Sequence, residues 1–288
     1  MRKTIGGLAP AKINLFLRVT GRRPNGYHDL DSLFLPLALY DRVTIALTCG
    51  TRRSVALRSN RPELPTDERN LAVAAARRML ARYDIQAEVN IDLDKQIPLG
   101  SGLGGGSSDA GAVIRLLAEV LGIADPDGLA AVALSVGADV PFFLDPRPAR
   151  VGGVGEKIMP LAAPTLSLVL ATPPIEVSTA SVYAQLKPAR WSGAASAEEI
   201  EQFCAGDVRP AMLVNDLAQP ACELYPAIKR LWRLVETTAA QACGMSGSGG
   251  TIFAIYPHAQ AARQAREQIA RLDSTATTLA VQTIPALP

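Results

Sequence analysis

The sequence predicts an α+β protein of two domains, and three observations carry that prediction. The chain has 288 residues, about twice the ~150 residues of an ordinary domain. Strand-like alternation and helix-like periodicity are mixed along its whole length, with no internal repeat. Composition changes near residue 152, where Gly152, Gly153, Gly155, Pro160 and Pro164 accumulate and read as a linker. We divide the chain into blocks 1–158 and 159–288.

The N-terminal block begins with strands. Ile13, Leu15, Leu17 and Val19 alternate with Asn14, Phe16 and Arg18, and Val43, Ile45 and Leu47 repeat the pattern, which is the period of a half-buried strand. Gly21 to Gly26, with Pro24 and Asn25, mark the turn between them. Asn70 is placed to cap a helix that runs through Leu80. A strand over 87–93 follows, then a glycine loop and a helix to about Leu121. A short helix near 127–135 leads into Gly137-Ala138-Asp139-Val140-Pro141-Phe142-Phe143. In the second block Leu166 to Ala171 is a candidate buried strand, and Ser178 or Thr179 caps the next helix. Helices are expected at 211–219, 227–241 and 258–271, the last with His258 as a structural residue at its start. Cys243 to Gly250 forms a second glycine loop ahead of a strand from Thr251 to Tyr256, and a strand at 277–283 closes the chain.

Composition removes several function classes. Net charge is +2, from 29 basic and 27 acidic residues, and 5% of residues are aromatic, so neither a basic field nor a stacking platform for nucleic acid is present. The four cysteines, Cys49, Cys204, Cys222 and Cys243, form no Cys-x-x-Cys pair, and there are two histidines. That argues against a zinc site and a disulfide framework and for a reducing cytoplasm. Lys12 and Asn14 interrupt the apolar core that a leader peptide needs, and no run approaches the ~18 apolar residues of a membrane span. A cytoplasmic protein with a small-molecule partner, monomer or homodimer, is the expectation.

The stretch Pro98-Leu99-Gly100-Ser101-Gly102-Leu103-Gly104-Gly105-Gly106-Ser107-Ser108-Asp109 carries the chemistry. It stands between the strand of Val89, Ile91 and Leu93 and a helix. Glycines let the backbone approach a ligand and take up φ > 0, and the first N–H groups of a helix are free and partly positive. Phosphate fits there, which points to a nucleoside triphosphate. A P-loop needs a lysine after its glycines, and none follows these. The dinucleotide pattern can be laid on Gly100, Gly102 and Gly105, but that fold places its acidic residue ~20 positions later, and Glu119 is too near. A flexible glycine linker is the bland alternative; linkers are not flanked by a clean strand and a clean helix.

Three separated segments resemble the GHMP kinase superfamily, the group of galactokinase, homoserine kinase, mevalonate kinase and phosphomevalonate kinase. They are Pro10-Ala11-Lys12-Ile13-Asn14-Leu15, the loop at 98–109, and Gly244-Met245-Ser246-Gly247-Ser248-Gly249-Gly250. Gly26-Tyr27-His28-Asp29-Leu30, Gly137 to Phe143 and Val214-Asn215-Asp216-Leu217 extend the resemblance to one branch, whose acceptor is a methylerythritol carrying a cytidine diphosphate group. The resemblance implies a GHMP kinase fold with an N-terminal β/α nucleotide-binding domain, a C-terminal ferredoxin-like α/β domain and the active site in the cleft between them. It implies ATP and Mg²⁺, phosphorylation of a 2-hydroxyl in the non-mevalonate isoprenoid route, and a cytidine-bearing small-molecule partner.

The same resemblance assigns the site. Asp139 would be the catalytic base and Lys12 its cation, keeping the carboxylate ionised and stabilising charge on the moving phosphoryl group. Read locally, Asp139 is equally well a turn cap, and Lys12 a surface lysine, although Lys12 interrupts an apolar strand and a buried lysine needs a partner. Pro98, Gly100, Ser101, Gly102, Leu103, Gly104, Gly105, Gly106, Ser107 and Ser108 would hold ATP. One of the two serines is placed to cap the helix, and Asp109 to complement its dipole. Tyr27 and His28 would read the cytosine edge and Tyr183 pack on the ring; alone, His28 is a turn histidine. Asn14 would bind substrate or satisfy backbone groups, and Gly247 and Ser248 would shape the acceptor side. No carboxylate stands out as a metal ligand. A kinase for homoserine or a mevalonate derivative has no use for Tyr27-His28, and a nucleotide-binding regulator without activity has no use for Lys12 and Asp139.

Overall fold

The computed structural model describes residues 2–288. Its first sheet is built on a long hairpin, β1 (Arg2–Arg22) and β2 (His28–Cys49), paired antiparallel. β3 (Ser54–Ser59) pairs parallel with β4 (Ala87–Asp94), and β4 lies antiparallel to the second half of β2. β5 (Ala149–Gly153) pairs with the first half of β2, and β6 (Lys157–Pro160) with β5. Three helices cover one face: α1 (Leu71–Arg82), α2 (Gly105–Leu121) and α3 (Pro126–Val136). The alternation of Val43, Ile45 and Leu47 with Val89, Ile91 and Leu93 turns these side chains toward Val73, Met79, Val113 and Leu117 of the helices. As expected, Asn70 caps α1, its side chain accepting the Ala72 N–H at 3.0 Å.

The second sheet is antiparallel in the order β10-β7-β9-β8, from β7 (Ser167–Thr172), β8 (Ala242–Met245), β9 (Ile252–Tyr256) and β10 (Thr277–Gln282). This is the 4-1-3-2 order of a ferredoxin-like sheet. Between β7 and β8 run α4 (Thr179–Ala184), α5 (Ala197–Cys204), α6 (Ala218–Leu224) and α7 (Pro226–Glu236), and α8 (Ala259–Leu272) precedes β10. β7 is buried on both faces. Val169 and Ala171 meet Ile228, Leu231 and Ile269, while Leu168 and Leu170 meet Ile13, Leu15, Leu35 and Leu37 of the first sheet. The two blocks therefore share a continuous apolar layer. No helix among the described residues is long and apolar enough to cross a membrane.

Several local expectations change. Gly152 and Gly153 lie in β5, Gly155 in the turn that follows, and Pro160 ends β6, so the glycine-rich stretch is a hairpin of the first sheet and 161–166 connects the sheets. The segment 211–219 is not one helix. A 3-10 turn at Pro210–Met212 gives way to a bridge between Asn215 and Leu17: the Leu17 N–H donates to the Val214 carbonyl at 2.8 Å, and the Asp216 N–H to the Leu17 carbonyl at 2.9 Å. Tertiary hydrogen bonds override helix propensity there. α7 stops at Glu236 because Thr237 and Thr238 turn their hydroxyls back onto the Leu234 and Val235 carbonyls. β3, β5, β6 and β8 were not anticipated, nor was α5, although Ser196 and Glu199 form a capping box at its start.

Candidate active site

Two cavities meet where the sheets face each other. The larger, about 770 Å³, lies between β1, the 22–28 turn, Asp139, α4 and the Gly247-Ser248 loop. The smaller, about 470 Å³, runs along the glycine loop from Pro98 to Ser107 and is closed by Leu64, Pro65, Arg69 and Asn70. Gly102, Gly104, Ser107 and Thr179 line both.

Lys12 stands at the junction because β1 is irregular there, with register shifts against β2 on both sides of the Lys12–Asn14 segment. The lysine is 3% exposed. Its Nζ lies 3.4 Å from Asp139 Oδ2, donates to Asn14 Oδ1 at 2.5 Å, and sits 4.4 Å from the centre of the Phe34 ring. The Asn14 amide nitrogen donates to Ser32 Oγ at 2.9 Å, and Ser32 to the Phe16 carbonyl. Asn14 thus fixes Lys12 with its oxygen and is itself fixed. Asp139 precedes the 3-10 helix Val140–Leu144 without capping it, so its carboxylate, 35% exposed, is turned to Lys12 and the cavity. Asp139 is the single carboxylate lining the larger cavity.

The glycine loop has a helix N-terminus as its floor. Gly104, at φ 74°, is the N-cap of α2 and makes no side-chain cap bond. A Cβ there would come within 2.9 Å of Phe143 and 3.1 Å of Lys12. This corrects the expected serine cap: Ser107 and Ser108 lie inside the first turn. The Ser108 N–H donates to the Gly104 carbonyl at 2.8 Å, and its hydroxyl is buried, unpaired and away from both cavities. Ser108 thus lies in the first turn of α2 and is not among the residues lining either cavity. The N–H groups of Gly105, Gly106 and Ser107 precede the first helical acceptor and are open to an anion.

Asp109 has more to do than complement a dipole. It forms a buried triad with Lys95 and Asp41: Lys95 Nζ donates to Asp109 Oδ2 at 2.7 Å and to Asp41. Asp41 Oδ1 accepts the N–H groups of Gln96 and Ile97 at 2.6 and 2.8 Å. Burial, against the opposing pull of Lys95 and with the added repulsion of Asp41, pushes the Asp109 carboxyl up to about 8. The triad ties the entry of the glycine loop to the helix that leaves it. A second tie comes from the C-terminal loop. Ser246 Oγ donates to the Gly102 carbonyl at 2.9 Å and accepts the Asn14 N–H, and the Thr251 N–H donates to the Ser101 carbonyl at 3.1 Å. Asn215 holds that loop through the Met245 and Gly247 carbonyls, and Ser248 Oγ lies 2.8 Å from Thr179 Oγ1.

At the open end, His28 stacks on Tyr183 with ring centroids 5.3 Å apart, and Trp191 meets His28 edge-on at 6.1 Å. Burial, then the charge of Arg22, holds the His28 imidazole below its ordinary value. Burial, then Asp139, raises the Tyr183 phenol. Tyr27 is 62% exposed on the rim. The structure thus brings Lys12, Asn14, Tyr27, His28, Asp139, Tyr183, Gly247 and Ser248 to one cavity and the loop from Pro98 to Ser107 to the other. Lys95, Asp41, Ser246, Thr179 and Trp191 were missed. A charged residue following the alternating apolar strand was the only available signal for Lys95.

Among the described residues no three His, Cys, Asp or Glu side chains converge as a metal cluster. Mg²⁺ takes one or two carboxylates and completes its shell with phosphate oxygens and water. The donor set fits an ion that arrives on a triphosphate, with Asp139 lining the larger cavity and Asp109, its Oδ1 unpaired, lining the smaller, and does not fit a dedicated protein cage.

Comparison with known proteins agrees with this arrangement. The family model of the GHMP kinases N terminal domain matches residues 70–145, and that of the GHMP kinases C terminal domain residues 196–273. The chain is 43% identical over 261 residues to the 4-diphosphocytidyl-2-C-methyl-D-erythritol kinase of Anaeromyxobacter sp. (strain K), covering 90% of this chain and 82% of the relative. It is 40% identical over 283 residues to that of Gluconacetobacter diazotrophicus, covering 93% and 92%. A crystal structure of 4-(cytidine 5'-diphospho)-2C-methyl-D-erythritol kinase superposes with a TM-score of 0.81 at 36% identity, over 97% of this chain and 99% of the other. Homoserine kinase from Cytophaga hutchinsonii, at 19% identity and a TM-score of 0.75, shares the fold. With the sequence likeness running the length of both blocks, the chain belongs to the GHMP kinases, in the family of the 4-diphosphocytidyl-2-C-methyl-D-erythritol kinases.

Proposed function

We propose that this chain transfers the γ-phosphoryl group of ATP to the 2-hydroxyl of the methylerythritol moiety of 4-diphosphocytidyl-2-C-methyl-D-erythritol, in the non-mevalonate isoprenoid route. The observation that carries the reading is the Lys12–Asp139 pair, 3.4 Å apart, at the junction of a phosphate-binding cavity and an aromatic-ended one. Triphosphate binds along the loop from Pro98 to Ser107, with its terminal phosphate toward the junction. Cytosine lies at the open end with Tyr27, His28 and Tyr183. Gly247, Ser248 and Asn14 border the acceptor between them. The two working units are the blocks 1–158 and 159–288, a boundary that falls within β6 just ahead of the connection at 161–166.

In the transfer, the acceptor oxygen forms a bond to the γ-phosphorus. The bond to the β–γ bridging oxygen breaks and its electron pair leaves with ADP, while the acceptor proton passes to the Asp139 carboxylate. The carboxylate takes the proton as it becomes acidic during transfer, so position matters more than basicity. Lys12 pairs with Asp139 and faces the charge on the transferring group. Mg²⁺, carried on the triphosphate, supplies neutralisation of the phosphate charge.

The test follows ADP release by purified protein with ATP and Mg²⁺, given in parallel 4-diphosphocytidyl-2-C-methyl-D-erythritol, homoserine or mevalonate. Release with the cytidine acceptor alone is expected. Release with another acceptor retains the kinase and rejects the acceptor; binding of ATP without release in any arm rejects catalysis.

A further inference from the structure

The larger cavity is lined by two cations, Lys12 and Arg22. Lys12 is buried and committed to Asp139 and Asn14. Arg22 is exposed on the rim, and among the described residues it pairs with no carboxylate. The contrast with its neighbour is sharp: Arg23 Nε donates to Asp29 at 2.9 Å and its Nη2 to Glu156 at 2.9 Å. Arg23 thereby clamps the turn between β1 and β2, and a further bond from the Arg23 N–H to the Tyr27 carbonyl at 2.7 Å closes it. The backbone that carries Arg22 is therefore held while its guanidinium is left over.

The register says where that guanidinium stands. Arg22 is directly opposite His28 across the hairpin, and directly opposed residues project from the same face of a sheet. His28 stacks on Tyr183 at the aromatic end of the cavity, and the charge of Arg22 is felt at the imidazole. The sole carboxylate lining this cavity, Asp139, is already paired with Lys12. An unpaired guanidinium beside an aromatic base site, with no protein anion to take it, is the complement of a phosphate group attached to that base.

We propose that Arg22 binds the diphosphate of the acceptor, so that this end of the cavity distinguishes a cytidine diphosphate from a bare cytidine. The inference rests on the acceptor assigned under the proposed function. It makes Arg22 a specificity residue for that reaction, separate from the phosphoryl-transfer centre at Lys12 and Asp139.

The test is calorimetric titration of the whole protein with cytidine and with cytidine diphosphate, the nucleotide cavity being filled beforehand with Mg²⁺ and a non-hydrolysable ATP analogue. Wild type is expected to bind both, the diphosphate more tightly. Arg22→Gln should weaken the diphosphate about three- to tenfold, the range for an exposed charge pair, and leave cytidine unchanged. Arg22→Lys should recover part of the loss, and added salt should shrink the difference between wild type and Arg22→Gln. In turnover, Arg22→Gln should raise the acceptor KM more than it lowers kcat. Equal weakening of cytidine and its diphosphate would overturn the proposal, since Arg22 would then only shape the turn. So would no change in either ligand. If wild type binds neither ligand, the acceptor assignment itself falls, and this inference with it.

Discussion

Replacing Asp109 by asparagine is expected to stabilise the protein at neutral pH. Asp109, Lys95 and Asp41 are almost wholly buried, two carboxyls sharing one ammonium. The Asp109 carboxyl is pushed from 3.8 up to about 8, so in the folded protein it is protonated at pH 7, whereas in the unfolded chain it is ionised. Folding must then take up a proton. A group whose folded pKa is raised contributes its stability fully below the unfolded value, here pH 3.8, and loses it as pH climbs through the folded value near 8. Within that window the loss is about 1.4 kcal/mol per pH unit, so from pH 5 to pH 7 it is on the order of 3 kcal/mol. Asparagine stands in for the neutral acid, keeps an oxygen for Lys95, and has nothing to titrate.

Urea unfolding of wild type and Asp109→Asn, followed by circular dichroism at pH 5, 6, 7 and 8, measures this directly. The gap between the two curves should widen with pH in favour of the variant. Parallel curves would refute the reasoning, because they would mean that Lys95 outweighs burial and that Asp109 is ionised in the fold. Lys95→Met is the opposite perturbation. It leaves Asp41 without its cation and should cost about 3–5 kcal/mol, as for other broken buried pairs.

Asp139→Asn should lower kcat by about a hundredfold or more and leave the KM for ATP within a few-fold, read by coupled ADP assay. Near-normal turnover would remove Asp139 as base. Gly102→Ala places a Cβ 2.4 Å from the Ser246 carbonyl oxygen at φ 78°, so the two glycine loops must separate; weaker ATP binding and a lower unfolding midpoint are expected together. His28 is held neutral by burial and by Arg22, so the acceptor KM should stay flat from pH 8 down through the usual histidine range near 6.5 and rise only in more acid solution. A rise centred at or above that range would show the imidazole unperturbed.

The parts of this architecture that local chemistry decides were readable in the sequence. Asn70 caps α1, and β4 and α2 flank a glycine loop, because alternation, helix period and free N–H groups are properties of a few adjacent residues. The serine cap is absent because Gly104 occupies the N-cap position in the left-handed region, which puts Ser107 and Ser108 inside the first turn and leaves the orphan N–H groups free. What escaped the reading depends on partners far away in the chain. Val214 and Asp216 leave helix for a bridge because Leu17 offers them hydrogen bonds. Lys95 looks like the polar end of a strand until Asp41, distant in sequence, lies against it. At the active centre, Lys12 and Asp139 are assigned by resemblance to a family; the local residues leave Asp139 equally a cap, and only the fold turns it away from the turn it precedes.

The glycine loop is rich in residues that favour mobility, yet it is held from three sides. β1 grips it through the Lys12 N–H on the Leu103 carbonyl at 2.9 Å, the second block through Ser246 and Thr251, and the helix side through the Asp41–Lys95–Asp109 triad. Glycine serves here to admit close contact: at Gly102 and Gly104 neighbouring atoms occupy the space of a side chain. The N–H groups that would meet a triphosphate are therefore aimed before it binds, and preorganised dipoles cost no rearrangement as charge moves. The same ties join the nucleotide side to the acceptor side. Ser246 touches Asn14, Asn14 holds Lys12, and Lys12 meets Asp139. A continuous chain of direct contacts thus runs from the phosphate loop in one cavity to the Asp139 carboxylate in the other.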